Sequence, residues 1–308
     1  MKKISVIGAG NVGATVVQRI AELEIGEIVM VDIVEGIPQG KSLDLLQSAP
    51  LMRYDTKILG TNEYSNISES DIVVITAGVP RKPGMDRKDL LRINSGIIKD
   101  VCNNINKYAP DAIVIVVTNP LDPMTYLASE ILKADKNRVF GMGGMLDSTR
   151  FATFVAMELE CSVKDINAMV IGSHDNLMLP VPQYTTVSGI PITELIEKET
   201  LDSIVDRTIN GGAEIVSHFK TGSAFYAPGA SIAHMVASVA KDSKRIMPTT
   251  VNLNGEYGYE NIYLGVPAKI GKDGVEKVFE LNLTDEQMNQ LSKSVVSIQD
   301  SIELIDIQ

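Results

Sequence analysis

Cysteine is scarce in this chain of 308 residues, where only Cys102 and Cys161 occur. Two thiols so far apart make neither a disulfide framework nor a zinc site, so both read as reduced core residues and no metal is expected. Long hydrophobic runs are also missing. The longest apolar stretches, such as AIVIVV (112–117), have the length of a strand and not of a membrane-spanning helix. Positive charge is in deficit: 28 Lys and Arg face 39 Asp and Glu, for a formal net charge of −11. That balance argues against non-specific nucleic-acid binding, which needs excess positive charge against phosphates. No low-complexity tract and no repeat at a solenoid period stands out. The opening MKKISVIGAG enters an apolar strand at once and leaves no room for a signal peptide, so a cytoplasmic, soluble protein is expected.

What is present is alternation. Short β-branched runs, ISVIG (4–8), EIVMVD (27–32), DIVVITAG (71–78) and AIVIVVTNP (112–120), are separated by longer helical patterns. Buried apolar strands interleaved with amphipathic helices specify an α/β fold, with a parallel sheet covered on both faces. The second half changes character. A helix near 144–159 leads into the apolar run INAMVIGSH (166–174), then a turn-rich region, further helices and a hairpin-like section at 251–270. The expectation is a Rossmann-type doubly wound domain over 1–143 and an α+β catalytic domain over 144–308.

The stretch GAGNVG (8–13) follows the first strand and opens a helix. Gly8 allows a tight turn, Gly10 lets the backbone approach a pyrophosphate, and Gly13 allows close helix–strand packing. The helix start Ala9–Gly13, with Asn11 and Val12, presents N–H groups to an anion. Asp32 ends the next strand nineteen residues after Gly13, where a carboxylate accepts hydrogen bonds from the adenosine ribose. A glycine turn used only for packing does not explain that aspartate. No arginine follows Asp32, and its charge repels a 2′-phosphate, so NAD is expected over NADP.

Histidine is rare as well, with three residues. His218 and His234 sit in helical patterns and read as packing or surface residues. His174 closes an apolar run beside polar Asp175 and Asn176, in position to reach a cleft. The residue alone leaves a proton-transfer role and a bland one equally open. Asp147 and Arg150, three apart at the start of a helix, share one face. They are either a surface ion pair or a cleft pair, with Asp147 toward a histidine and Arg150 toward a carboxylate; spacing does not decide.

The motifs VIGAGNVGATVV, VDIVEG, ITAGVPRKPGMDRKDLLRIN, VVTNPLDPMTY, RVFGMGGMLDSTRF, IGSH and GSAFYAPGAS occur in order along nearly the whole chain. In them the sequence resembles the lactate/malate dehydrogenase superfamily, and within it the lactate dehydrogenase-like malate dehydrogenases. The resemblance implies reversible NAD-dependent oxidation of (S)-malate to oxaloacetate in the tricarboxylic acid cycle, by a homotetramer or dimer. It makes His174 the proton acceptor and donor, Asp147 its partner and Arg150 the clamp on the C1 carboxylate. Arg87 would polarise the reacting carbonyl, and Arg81 would select the substrate. Asn119 would touch substrate and nicotinamide, with a cis bond to Pro120, while Asn94, Val117 and Thr118 would be further cofactor contacts. One departure stands out: the family commonly follows the histidine with Gly-Asp or Gly-Glu, and here Asp175-Asn176 follows.

Arg81, Lys82, Arg87 and Lys88 crowd a loop broken by Gly78, Pro80, Pro83 and Gly84, at the C-terminal end of a strand. Such a segment reads as a lid closing on an anion, with Lys82 and Lys88 solvated. By the resemblance, Arg150 would neutralise one carboxylate of a dicarboxylate and Arg81 the other. Lactate or pyruvate would leave Arg81 buried without a partner. The rival readings are a lactate or broad 2-hydroxy-acid dehydrogenase on the same scaffold, and a non-catalytic NAD sensor.

Overall fold

The structure, a computed structural model, describes residues 2–80 and 87–305. Arg81 and the rest of 81–86 lie outside the described residues, as does the side chain of Arg87. The first half builds β1 (Lys2–Ile7), α1 (Asn11–Leu23), β2 (Gly26–Val31), α2 (Ile37–Met52), β3 (Ile58–Thr61) and β4 (Ile72–Ile75). It continues with α3 (Arg87–Tyr108), β5 (Ile113–Val116), α4 (Leu121–Leu132), β6 (Val139–Gly141) and α5 (Gly143–Leu159). These six strands are parallel, in the order β3-β2-β1-β4-β5-β6.

Strand periodicity explains why both faces are covered. In β4, Ile72 and Val74 join one apolar cluster, with Val16 and Ile20 of α1, while Val73 and Ile75 join another, with Ile98 and Cys102 of α3. Successive side chains point to opposite faces, so a strand apolar at every position needs helices on both sides. Burial also pushes the Cys102 thiol up to about 12, as suits an inert core residue. Because β1 has β2 on one side and β4 on the other, the connections run in opposite directions from it. That reversal opens a crevice at the carboxyl ends of β1 and β4.

The second half contributes β7 (Ile166–Asn167), β8 (Val170–Ile171), β9 (Leu179–Pro180), β10 (Thr186–Val187), β11 (Ile190–Pro191), α6 (Lys198–Phe219) and α7 (Tyr226–Ala240). Then come β12 (Arg245–Asn254), β13 (Glu260–Gly271), β14 (Gly274–Val278) and α8 (Asp285–Glu303). Two features differ from the pattern expected. The run INAMVIGSH is two strands: β7 pairs with β10 and β8 with β9, and the chain changes sheet between them, where the Thr185 hydroxyl accepts from Met169 N–H. The hairpin is longer than expected, and it joins the parallel sheet. Thr250 of β12 pairs antiparallel with Gly141 of β6, so β12, β13 and β14 extend the parallel strands into one nine-stranded sheet. Among the described residues, no helix is long and apolar enough to cross a membrane.

Candidate active site

The turn after β1 is held by sterics. Gly8 has φ +104°, and a Cβ there would stand 2.8 Å from both Ala77 N and Thr76 Oγ1. A Cβ on Gly13 would collide with the Gly8 carbonyl oxygen, so α1 lies directly against the turn. Gly10, the N-cap of α1, differs: nothing lies within 4 Å of its added Cβ, and no side chain caps the helix. The N–H groups of the first turn therefore face an open cleft, at the positive end of the helix dipole.

Asp32 closes one end of that cleft. Its Oδ2 accepts from Ala9 N–H at 2.6 Å and its Oδ1 from Val34 N–H at 2.9 Å, which leaves a lone pair on each oxygen for a ribose hydroxyl. A cavity of about 620 Å³ runs from Asp32 past Gly8 and Gly10 to Ile97. A second, of about 410 Å³, shares Gly10 and Val79 with it and is lined by Asn11, Val12, Val117, Thr118 and Asn119. Two adjoining cavities around an uncapped helix start suit an extended dinucleotide, with its pyrophosphate at Gly10. Asn94 also borders this space, but its amide is engaged: Oδ1 accepts from Val79 N–H, and Nδ2 donates to the Asn119 carbonyl at 2.6 Å. Thr118 likewise donates its hydroxyl to Ala77 O at 2.7 Å. Both latch the strand ends that form the wall. The Asn119–Pro120 bond is cis.

His174 lies three residues past β8. Gly172 precedes it at φ +89° and exchanges both backbone hydrogen bonds with Gly265 of β13, which pins the turn. The ring's Nδ1 is 2.7 Å from Asp147 Oδ2, and Asp147 Oδ1 accepts from Arg150 Nη1 at 3.0 Å. Asp147 is only 1% exposed and turned toward His174, so the surface-pair reading of Asp147 and Arg150 fails. Arg150 packs beside Gly211 and Gly212 of α6, and its buried Nε has no partner among the described residues. The Arg150 side chain is 14% exposed and fixed by Asp147, a geometry that suits a planar guanidinium meeting a carboxylate.

Two family models cover this architecture. Residues 2–141 match the lactate/malate dehydrogenase NAD binding domain, and 144–306 match the lactate/malate dehydrogenase alpha/beta C-terminal domain. The chain belongs to the lactate/malate dehydrogenase family. It is 59% identical to the malate dehydrogenase of Methanosarcina acetivorans over 307 residues, the whole of both chains. Among solved structures it is similar to the Picrophilus torridus malate dehydrogenase (TM-score 0.96, 47% identity, covering 98% and 97% of the two chains). It is also similar to a Cryptosporidium parvum lactate dehydrogenase solved with lactic acid and β-nicotinamide adenine dinucleotide (TM-score 0.95, 38% identity, 98% and 97% covered).

Within this family fold, the electrostatics around His174 have a definite sign. Burial pushes the imidazole's pKa down, but the charge and hydrogen bond of Asp147 outweigh it, and the value stays raised. Asp175, the departure beside the histidine, shapes the turn: its Oδ1 accepts from the Ser173 hydroxyl at 2.6 Å and from Leu177 N–H at 2.8 Å. His218 is exposed, and His234 is half-buried in α7 with a pKa lowered by burial, as packing or surface residues would be. Lys88 is exposed.

Three residues escaped the sequence reading. Lys41 of α2 donates to the Ala9 carbonyl at 2.7 Å, buttressing the glycine turn from a helix with no motif to mark it. Asp122 accepts the His174 backbone N–H at 2.8 Å, and Thr250 donates its hydroxyl to the same carboxylate at 2.9 Å. The only sequence signal for Asp122 is an acid in a helix's first turn, a position any acid favours.

Proposed function

We propose that the chain is an NAD-dependent malate dehydrogenase interconverting (S)-malate and oxaloacetate. The observation that carries this is the His174–Asp147–Arg150 cluster, in which the buried Asp147 carboxylate orients the His174 ring at 2.7 Å and holds the Arg150 guanidinium at 3.0 Å. Naming of the full-length relative from Methanosarcina acetivorans as a malate dehydrogenase supports the substrate.

Bound NAD supplies the hydride acceptor and NADH the donor. The cradle Gly8, Ala9, Gly10, Asn11, Val12 and Gly13 receives the pyrophosphate, and Asp32 receives the adenosine ribose. In malate oxidation, His174 takes the hydroxyl proton on Nε2, while Asp147 holds Nδ1–H and offsets the imidazolium charge. In reduction the imidazolium returns that proton. Arg150 clamps the C1 carboxylate, Arg87 stabilises the oxygen on which charge develops, and Arg81 pairs with the second carboxylate. Asn119, which lines the second cavity, would contact both substrate and nicotinamide.

The division of labour is a cofactor domain over 1–143 and a substrate domain over 144–308. The protein works in the cytoplasm, in the tricarboxylic acid cycle, as a homo-oligomer, with a tetramer favoured over a dimer. Exposed apolar side chains on α2 support self-association: Leu51 is 86% exposed, and Leu43, Leu46 and Met52 accompany it. The test follows NADH absorbance with oxaloacetate and with pyruvate. Oxaloacetate reduction far above pyruvate reduction is expected; equal rates make this a broad 2-hydroxy-acid enzyme, and none with either acid makes it a sensor.

A further inference from the structure

Asp122 is a buried carboxylate that neither gives nor takes the proton in the mechanism proposed for His174 and Asp147. It stands in the first turn of α4, three residues after Asn119, and is 4% exposed. Its Oδ2 accepts the His174 backbone N–H at 2.8 Å, and its Oδ1 accepts the Thr250 hydroxyl at 2.9 Å. One side chain thus joins α4, the histidine turn and β12. The surroundings are tight: a Cβ on Gly143 would lie 2.7 Å from Thr250 Oγ1 and 3.6 Å from the His174 Cβ. A carboxylate suits this place because it accepts two donors at once, whereas an amide offers one accepting and one donating end. Keeping a charge here is costly, since burial pushes the Asp122 pKa up to about 6 despite both hydrogen bonds. The charged groups around it are His174 and Asp175 in the turn, and Asp147 and Arg150 of α5 beyond the ring.

We propose that Asp122 is a positioning residue for proton transfer, tying the His174 backbone to the helix that starts beside Asn119 and favouring the protonated ring by its charge. The base and the cofactor wall then move as one body. Displacements of an ångström in such a constellation cost as much as about 10²-fold in rate. This rests on the reading of His174 as the proton-transfer group.

The test uses the full chain. Asp122→Asn keeps the shape and one acceptor but removes the charge. Its oxaloacetate kcat is expected to fall about tenfold. The alkaline limb of its pH profile should move to lower pH by about half a unit or more. NADH affinity, read by fluorescence titration, should stay within about twofold. An unmoved limb with unchanged kcat overturns the proposal, and so does a lowered Tm with both kinetic readouts unchanged or a parallel loss of NADH affinity. If Asp122→Asn does not fold, Thr250→Val and Thr250→Ser decide. Valine should lower kcat about threefold and serine restore it; equal rates overturn the proposal. His174→Asn is measured alongside. If it keeps wild-type turnover, the reading of His174 falls; if it is inactive while Asp122→Asn behaves as wild type, only the role of Asp122 falls.

Discussion

Asp147 Oδ2 stands 2.7 Å from His174 Nδ1, and both side chains are almost wholly withdrawn from solvent. With Nδ1–H donated to the carboxylate, Nε2 is the ring atom left for the proton exchange proposed for His174. Replacing Asp147 by Asn removes the charge that raises the imidazole's pKa. Oxaloacetate reduction needs imidazolium, so its rate falls as pH rises through the raised value. In Asp147→Asn that fall should move to lower pH, and kcat should drop about 10²- to 10⁴-fold. The pair's contribution to stability is fully present below the unfolded imidazole value of about 6.5 and is lost as pH rises through the folded one. The loss of Tm in the variant should therefore be largest in acid. A pH-rate profile superimposable on wild type would remove Asp147 from the mechanism.

Why was this pair ambiguous in sequence when the sheet around it was not? Every residue of β4 and β5 is apolar and buried, so four-residue runs already specify a two-faced parallel sheet. Asp147 and Arg150 are three apart whether they face water or the interior, and only the burial of Asp147 and the packing of Arg150 against α6 decide. Asp122 and Thr250 are harder still, being 128 residues apart and joined by one hydrogen bond that leaves no local pattern. Pairing of β12 with β6 is equally silent, since a strand's own residues do not name its neighbour. Asp175 was legible as a departure, but its effect needed the turn: it organises Ser173 and Leu177.

Gly10 and Gly13 separate binding from folding. Gly10 has φ −66° and open space where a Cβ would go, so Gly10→Ala should fold with a Tm close to wild type. Its methyl group projects into the pyrophosphate's path, and NADH affinity should fall about tenfold or more. Gly13→Ala places a methyl group against the Gly8 carbonyl, and it should lower Tm by several degrees in addition to weakening NADH. Thermal melts and fluorescence titration of both variants check this. A Tm loss in Gly10→Ala equal to that in Gly13→Ala would undo the assignment of Gly10 as the ligand-facing glycine.

Asp32 holds the turn after β1 and is proposed to hold the ribose as well. Because it accepts from Ala9 and Val34 N–H, Asp32→Ala should raise the NADH KM about tenfold, as losing charge-assisted hydrogen bonds does. The same change removes the repulsion of a 2′-phosphate, so the NADH-over-NADPH ratio of kcat/KM should narrow. A wild type that used both cofactors equally would contradict this account of Asp32.

Arg81 lies outside the described residues, so the case for it rests on charge. Oxaloacetate carries two carboxylates, and in the proposed mechanism Arg150 neutralises one of them. Arg81→Gln would strand the other in a closed, poorly solvated site. Losing one partner of such a pair costs about 2–5 kcal/mol, and about 1.4 kcal/mol is tenfold in kcat/KM. A fall of about 10²-fold or more with oxaloacetate is therefore expected. For pyruvate, if Arg81 reads the second carboxylate as proposed, the same change would remove a cation left without a partner but would not rebuild the pocket around a methyl group. The gain should be smaller than the oxaloacetate loss, leaving a mediocre lactate enzyme. Measuring kcat/KM for both acids in wild type and variant gives four values and one comparison. Oxaloacetate activity that survives Arg81→Gln within about threefold would make Arg81 a surface charge and require another residue to read the second carboxylate.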